Sequence, residues 1–293
     1  MEFFRTLIDA NLSQWYWFFK AGKPVKKGNI FDLRRANFEN LPPPVFFLST
    51  GRTGTAWFAD LLSKDKNFIV FHEAIPHLSI QNGFFYKLDR RPDIDEETKL
   101  NIGKEMFLAG REQFLVNSYK TNKSFLETNN QYVFFAKAMV RLFPNAKFVH
   151  LYRHPGEFVR SGLRRNWYGE GERSNLKIIS PINDSNWHNY NQLQKISWLW
   201  TEVNGFIEEV KTLIPENRKM DFNFNKKSAD NIRKLADFCG VNITEKHIKK
   251  QMSVRVNAQE IGNVKKYKDW SDEEKSQLKD ICGDLAIKYG YEL

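Results

Sequence analysis

Val45-Phe46-Phe47-Leu48-Ser49-Thr50-Gly51-Arg52-Thr53-Gly54-Thr55-Ala56-Trp57 is the stretch on which the fold turns. It reads as strand, loop and helix. Pro42 to Pro44 introduce the apolar run Val45 to Leu48, which is too short for a helix and suits a buried parallel strand. Thr55 to Ser63 then sets Ala56, Phe58, Ala59, Leu61 and Leu62 at helical spacing. The loop between them delivers its amides to a helix N-terminus, a geometry that binds anions. Gly51 and Gly54 permit close backbone approach and Arg52 adds a charged donor, so a phosphate or phosphate-like group is the expected guest. The magnesium-holding loop of nucleoside triphosphatases needs four residues between its glycines, then Lys and Ser/Thr. Here two residues separate the glycines and Thr55-Ala56 follow, which disfavours ATP hydrolysis.

Downstream, Asn67 to Pro76 is a second apolar run with a polar end, expected to be the next parallel strand. In a doubly wound sheet functional groups stand just beyond the carboxyl ends of strands, and His72 and Glu73 occupy that position. Either is a candidate general base, and alternation along the strand turns only one toward the anion. The plainer reading is a surface His–Glu pair closing a strand. A helical pattern covers Leu100 to Val116, and a helix is expected over Tyr132 to Phe143, stopped by Pro144. Lys147 to Tyr152 is another strand, ended by Arg153-His154-Pro155, with Pro155 in the first turn of a helix reaching about Arg165. Arg153 and Ser161 thus mark a second anion site.

With both loops in hand, the chain resembles sulfotransferases that use 3′-phosphoadenosine 5′-phosphosulfate (PAPS). Gly51-Arg52-Thr53-Gly54-Thr55-Ala56-Trp57 is similar to that family's 5′-phosphosulfate loop, and Phe148-Val149-His150-Leu151-Tyr152-Arg153-His154-Pro155 with Ser161 to its 3′-phosphate segment. The resemblance implies an α/β fold, a central parallel sheet flanked by helices in a P-loop-like arrangement. It implies that Arg52, the amides of Thr53 to Trp57 and the Thr55 hydroxyl cradle the 5′-phosphosulfate, that Arg153 and Ser161 hold the 3′-phosphate, and that Trp57 stacks on adenine. Two positions depart from the pattern: Arg52 stands where cytosolic members have Lys, and Ala56 where many have a second Thr. By analogy with phosphoryl transfer, Arg52 is expected to neutralise the leaving 5′-phosphate and Glu73 to accept the acceptor's proton, while the resemblance itself leaves the base open between Glu and His. His72 is the second candidate base and Glu127 the third.

The remaining chain carries weaker signals. Asn166 to Gln192 is rich in Trp, Tyr and Asn and is read as a lid over the acceptor or as a surface loop. His188 to Leu213 has the apolar stripe of a long amphipathic helix, Arg218 to Phe224 reads as a strand, and Ser228 to Cys239 as a helix closed by Gly240. Gly262 to Lys268 loosely resembles a basic loop over the nucleotide, with Lys265 and Lys266 as candidate 3′-phosphate contacts against the reading of a solvated lysine run. Ser271 and Glu274 form a capping box for a last helix.

At 293 residues, with 41% hydrophobic content, the chain is expected to form a helical segment over 1–40 docked on a single domain over 41–293. Residues 1–20 are aromatic but interrupted by Arg5, Asp9, Asn11 and Gln14, which excludes a membrane span and leaves peripheral membrane contact as the alternative to docking. With no signal or anchor evident, a cytoplasmic location is expected. Two cysteines, Cys239 and Cys282, exclude a disulfide framework, and no compact His/Cys cluster suggests a metal. The net charge of +10 suits an anionic cofactor or substrate. A hydroxyl-bearing small molecule or glycan is the expected acceptor, and nucleic acid is not an expected partner because aromatics do not recur with the basic residues. An ATP-dependent P-loop kinase and a basic nucleic-acid-binding module remain the rival readings.

Overall fold

The computed structural model describes residues 41–170, 179–182, 186–254 and 264–293. The helical segment expected over 1–40 lies outside them, as do parts of the expected lid (171–178 and 183–185) and residues 262–263 of the basic loop.

Five strands form one sheet: β1 (Val45–Leu48), β2 (Phe68–His72), β3 (Ser124–Thr128), β4 (Lys147–Tyr152) and β5 (Lys219–Asn223). Their order is β2-β3-β1-β4-β5 and every pairing is parallel. The helices are α1 (Thr55–Leu62), α2 (Ser79–Asp89), α3 (Glu96–Thr121), α4 (Ala136–Leu142), α5 (Pro155–Leu163), α6 (Gln192–Thr212), α7 (Ala229–Cys239), α8 (Glu245–Met252) and α9 (Asp272–Lys288).

Strand alternation splits the interior into two layers. Phe46 and Leu48 of the fully buried β1 enter one core with residues of α2, α3, α4, α5, α6 and α9. Val45 and Phe47 enter the other, with α1, α7 and α8. Phe46 is the hub of the first, with ring centroids 5.4 to 6.1 Å from Phe107, Phe125, Tyr132, Phe143 and Phe148. Because β1 lies between β3 and β4, the loop leaving it is walled by the ends of both neighbours, which is where the order of a doubly wound sheet opens a crevice.

The α/β fold expected from the sequence is therefore the observed one, with local differences. β2 stops at His72 because Glu73 takes φ +51°, a left-handed conformation that cannot continue a strand. The helix expected from Tyr132 begins as a 3₁₀ turn at Val133–Phe135 before α4. Helix α3 is far longer than Leu100 to Val116, capped by Asp95, whose carboxylate accepts from Thr98 N, and closed by Asn122 at φ +50°. The expected capping box holds at α9, where the Ser271 and Glu274 side chains each accept the other's amide, and α6 has a second one at Asn191 and Gln194. Both cysteines are buried and free, and burial pushes each thiol up to about 12. Among the described residues no helix is long and apolar enough to cross a membrane.

Candidate active site

The loop after β1 is shaped by its own side chains. Ser49 Oγ accepts from Gly51 N at 3.1 Å and Thr50 Oγ1 donates to Gly51 O at 3.0 Å. Gly51, Arg52 and Gly54 then hold φ of +77°, +56° and +89°. Arg52 pays for that left-handed conformation with a side chain aimed across the crevice. Helix α1 starts at Gly54 with no side-chain cap and no acidic residue in its first turn, so its leading amides are left for an anion. The fully buried Thr53, just before α1, has a hydroxyl without a hydrogen-bond partner among the described residues.

The second loop meets the first directly. Arg52 Nε donates to Ser161 Oγ on α5 at 3.3 Å, and Arg153 Nη1 at the end of β4 donates to Arg52 O at 3.2 Å. Arg153 Nε also donates to Glu157 Oε2 at 2.5 Å. Burial lowers the Arg52 pKa; Glu73 works in the opposite direction, while Arg153 and Arg164 lower it further. Burial likewise lowers Arg165, to about 10, with the charges of Arg52 and Arg164 adding to the effect. Four guanidiniums thus share one crevice, and Glu73 and Glu157 are the carboxylates felt there. Positive charge crowded in this way invites an anion carrying more than one charge.

At the rim, His72 Nδ1 lies 2.8 Å from Thr128 O, which accepts only from a protonated nitrogen. His72 Nε2 lies 3.8 Å from Glu73 Oε1. Thr128 Oγ1 donates to Thr55 O at 3.0 Å, tying this corner to the anion loop. Glu73, part-exposed and close to the Arg52 charge, and the His72 imidazole are both residue types that serve as a general base.

Glu127 does not. It is fully buried, and Arg111 grips it through Nε to Oε2 at 2.7 Å and Nη2 to Oε1 at 2.8 Å. Glu127 Oε1 also accepts from Ala74 N at 3.2 Å and Asn129 Nδ2 at 2.9 Å, while Arg111 Nη1 donates to Pro76 O at 2.8 Å. This corrects the third base candidate: Glu127 is the anchor beneath the Glu73 turn, with no face toward an acceptor.

Trp57 also differs from expectation. It is 3% exposed, donates Nε1–H to Gln251 O at 3.0 Å, and carries Lys227 Nζ 4.2 Å from its ring centroid. Its face is closed to a stacking base in this structure, because core packing and the lysine already cover it. Lys265 and Lys266 extend exposed side chains from a loop tied to α5, where Arg160 Nε donates to Val264 O and Lys265 O at 3.1 Å. The Tyr267 ring beside them sits against Gly156, where a Cβ would come within 2.3 Å of it. In the described part of the expected lid, Trp187 packs edge-on against Tyr168 and Trp198.

Sequence reasoning missed Arg164, Arg165, Lys227 and Phe224. The Phe224 ring covers Gly54 so closely that a Cβ there would lie 2.2 Å from it. Away from the crevice, His150, Glu208 and Asp221 bring donor atoms within 4.8 Å of one another, a grouping the sequence did not announce. Lys211 Nζ already sits 2.8 Å from Glu208 and 2.7 Å from Asp221, so a cation occupies the place a metal would need.

A family model described as "Sulfotransferase family" matches residues 43–245, which takes in both loops. No curated protein matches the chain. Among solved structures, the chain is similar to the sulfotransferase domain of the Synechococcus PCC 7002 olefin synthase, with TM-score 0.51 and 15% identity over 92% of this chain and 100% of that one. It is also similar to the sulfotransferase domain from the curacin biosynthetic pathway, with TM-score 0.50 and 15% identity over 86% of this chain and 99% of that one. At such identities these likenesses speak to the fold.

Proposed function

The chain belongs to the sulfotransferase family, and from that premise we propose that it transfers a sulfuryl group from PAPS to a hydroxyl of a carbohydrate or small-molecule acceptor. The observation that carries this reading is the bond between the two loops, Arg52 Nε to Ser161 Oγ, which makes them one crevice lined by four arginines. A donor with phosphate groups at both ends of one nucleoside suits such a crevice, and the unpartnered Thr53 hydroxyl and the uncapped start of α1 suit its 5′ end.

When bound, the donor supplies an electrophilic sulfur: the acceptor oxygen bonds to it as the bond to the 5′-phosphate oxygen breaks, releasing adenosine 3′,5′-bisphosphate. The amides of Thr53 to Trp57 and the Thr55 hydroxyl cradle the 5′ end. Arg52 neutralises the charge that gathers on the leaving phosphate. Glu73 takes the proton of the acceptor hydroxyl, and His72, whose Nε2 lies 3.8 Å from Glu73 Oε1, is the alternative base. Arg153 and Ser161 hold the 3′-phosphate, with Lys265 and Lys266 at the crevice's outer side. The described residues from 41 on act as one domain around this site, in a soluble cytoplasmic setting.

Calorimetric titration with adenosine 3′,5′-bisphosphate, against magnesium-ATP as comparator, tests the donor. The bisphosphate is expected to bind preferentially, and Arg153→Ala to weaken it by about ten- to a hundred-fold, the effect of a charge-assisted hydrogen bond. Preference for magnesium-ATP would return the chain to phosphoryl transfer. With an acceptor in hand, Glu73→Gln is expected to leave bisphosphate binding intact and lower turnover by about 10²- to 10⁴-fold. Normal turnover in that variant would move the base to His72.

A further inference from the structure

We propose that Arg165, which lies beyond both recognised loops, is a further ligand of the 3′-phosphate and completes its site with Arg153 and Ser161. The inference rests on the reading of the donor given above.

The geometry comes from how α5 ends. Arg165 N and Trp167 N both bond to Gly162 O, at 2.9 and 3.1 Å, so the chain folds back on the last turn of the helix. The Trp167 ring braces that turn from below, 5.7 Å from Phe158 and against Gly162. The Arg165 side chain is thereby returned over Ser161, where Nη1 donates to Ser161 O at 2.9 Å and to Ser161 Oγ at 2.8 Å. Among the described residues no carboxylate pairs with Arg165; its charged neighbours are Arg52 and Arg164.

Ser161 Oγ therefore accepts from two guanidiniums at once, Arg165 at 2.8 Å and Arg52 at 3.3 Å. A hydroxyl offers two lone pairs and one proton, so with both lone pairs engaged its O–H is left to donate. The group that fits is an acceptor-only, negatively charged oxygen, and Arg165 keeps further N–H donors for the same anion. Two guanidiniums on one hydroxyl, with no carboxylate paired with Arg165 among the described residues, describe a phosphate subsite more closely than the end of a helix requires. Arg165 also orients Ser161 as a donor before any ligand arrives.

The test compares two nucleotides that differ only at the 3′ position. Wild type, Arg165→Ala and Arg165→Lys are titrated with adenosine 3′,5′-bisphosphate and with adenosine 5′-monophosphate, and the ligand-free melting temperature of each is recorded. Arg165→Ala is expected to weaken the bisphosphate by about ten- to a hundred-fold while leaving the monophosphate unchanged. Arg165→Lys is expected to recover part of the loss, because it keeps the charge without the planar fork. Should Arg165→Ala fold poorly, the Lys variant carries the comparison through the ratio of its two affinities. Equal weakening of both nucleotides would make Arg165 a structural brace, and no weakening of either would leave it outside the site; each result overturns the proposal. A wild-type protein that does not distinguish the two nucleotides would instead sink the donor reading, and this one with it.

Discussion

Gly54 concentrates several demands in one residue. Its φ of +89° lies where side chains are strained, its amide opens α1, and the Phe224 ring stands where a Cβ would be. Gly54→Ala is expected to destabilise the fold by about 1–3 kcal/mol through backbone strain alone, and displacement of Phe224 adds to that. The proposed nucleotide binding is expected to fall with it, since the amides of α1 would tilt; chemical denaturation and calorimetry read the two effects separately. Local motifs made Gly54, Arg52, Arg153 and Ser161 legible in the sequence, because each belongs to a short pattern whose geometry is fixed within a few residues. Lys227, Phe224 and Arg165 were not legible. Phe224 and Lys227 reach the crevice only because β5 lies beside β4, and Arg165 because α5 ends in a tight reversal. No spacing encodes either fact.

Helices and strands were read well where apolar periodicity was strong and poorly where it was not. β1 and β4 stand at the expected residues, whereas α3 runs from Glu96 to Thr121, well beyond its apolar centre. Its buried side includes Lys99, Gly103, Gly110, Arg111 and Ser118, residues that break a hydrophobic stripe while still packing inward. Arg111 explains why such a helix is kept. Its fork on Glu127 joins α3 to β3, and the same two side chains hold Ala74 N and Pro76 O just after the strained Glu73. Glu127→Gln, which leaves the Arg111 charge buried without its counter-ion, is expected to cost about 3–5 kcal/mol. The double variant Arg111→Met with Glu127→Met is expected to lose less, since no charge is then stranded; urea unfolding of the three proteins decides between these outcomes.

The whole molecule is closed on the side of β4 and β5 by a charged cluster rather than by apolar packing alone. His150 on β4 donates Nε2–H to Asn204 Oδ1 at 3.0 Å and turns Nδ1 toward Glu208 and Asp221, at 3.5 and 3.6 Å. Burial opposes the imidazolium, yet its contacts with Asp221, Glu208 and Asn204 outweigh burial and raise the His150 pKa. Burial opposes the Glu208 carboxylate too, and its bonds to His150, Lys211 and Lys288 outweigh it and depress that pKa. A raised histidine stabilises fully below its ordinary pKa of 6.5 and loses that contribution as pH climbs through the folded value. A depressed carboxylate stabilises fully above 4.5 and loses its contribution as pH falls through the folded value. The cluster is therefore strongest between pH 4.5 and 6.5. The melting temperature is expected to decline on the alkaline side of that window, and His150→Asn to flatten the decline; an unchanged slope would mean the imidazole stays neutral throughout.

Sheet polarity and the two buried thiols together offer a handle for spectroscopy. All strands run in one direction, so the turns that lead into them gather at the edge away from the crevice. Thr121 is exposed at the end of α3, just before β3, and the five residues of that strand separate it from the crevice by about 17 Å at the usual rise per residue. Cys239 and Cys282 are both buried, with thiols held up near 12, and the chain has no other cysteine. Thr121→Cys thus makes the one thiol a maleimide dye would meet, and its fluorescence offers a test of the proposed nucleotide's arrival from the opposite edge, away from the residues proposed to hold it.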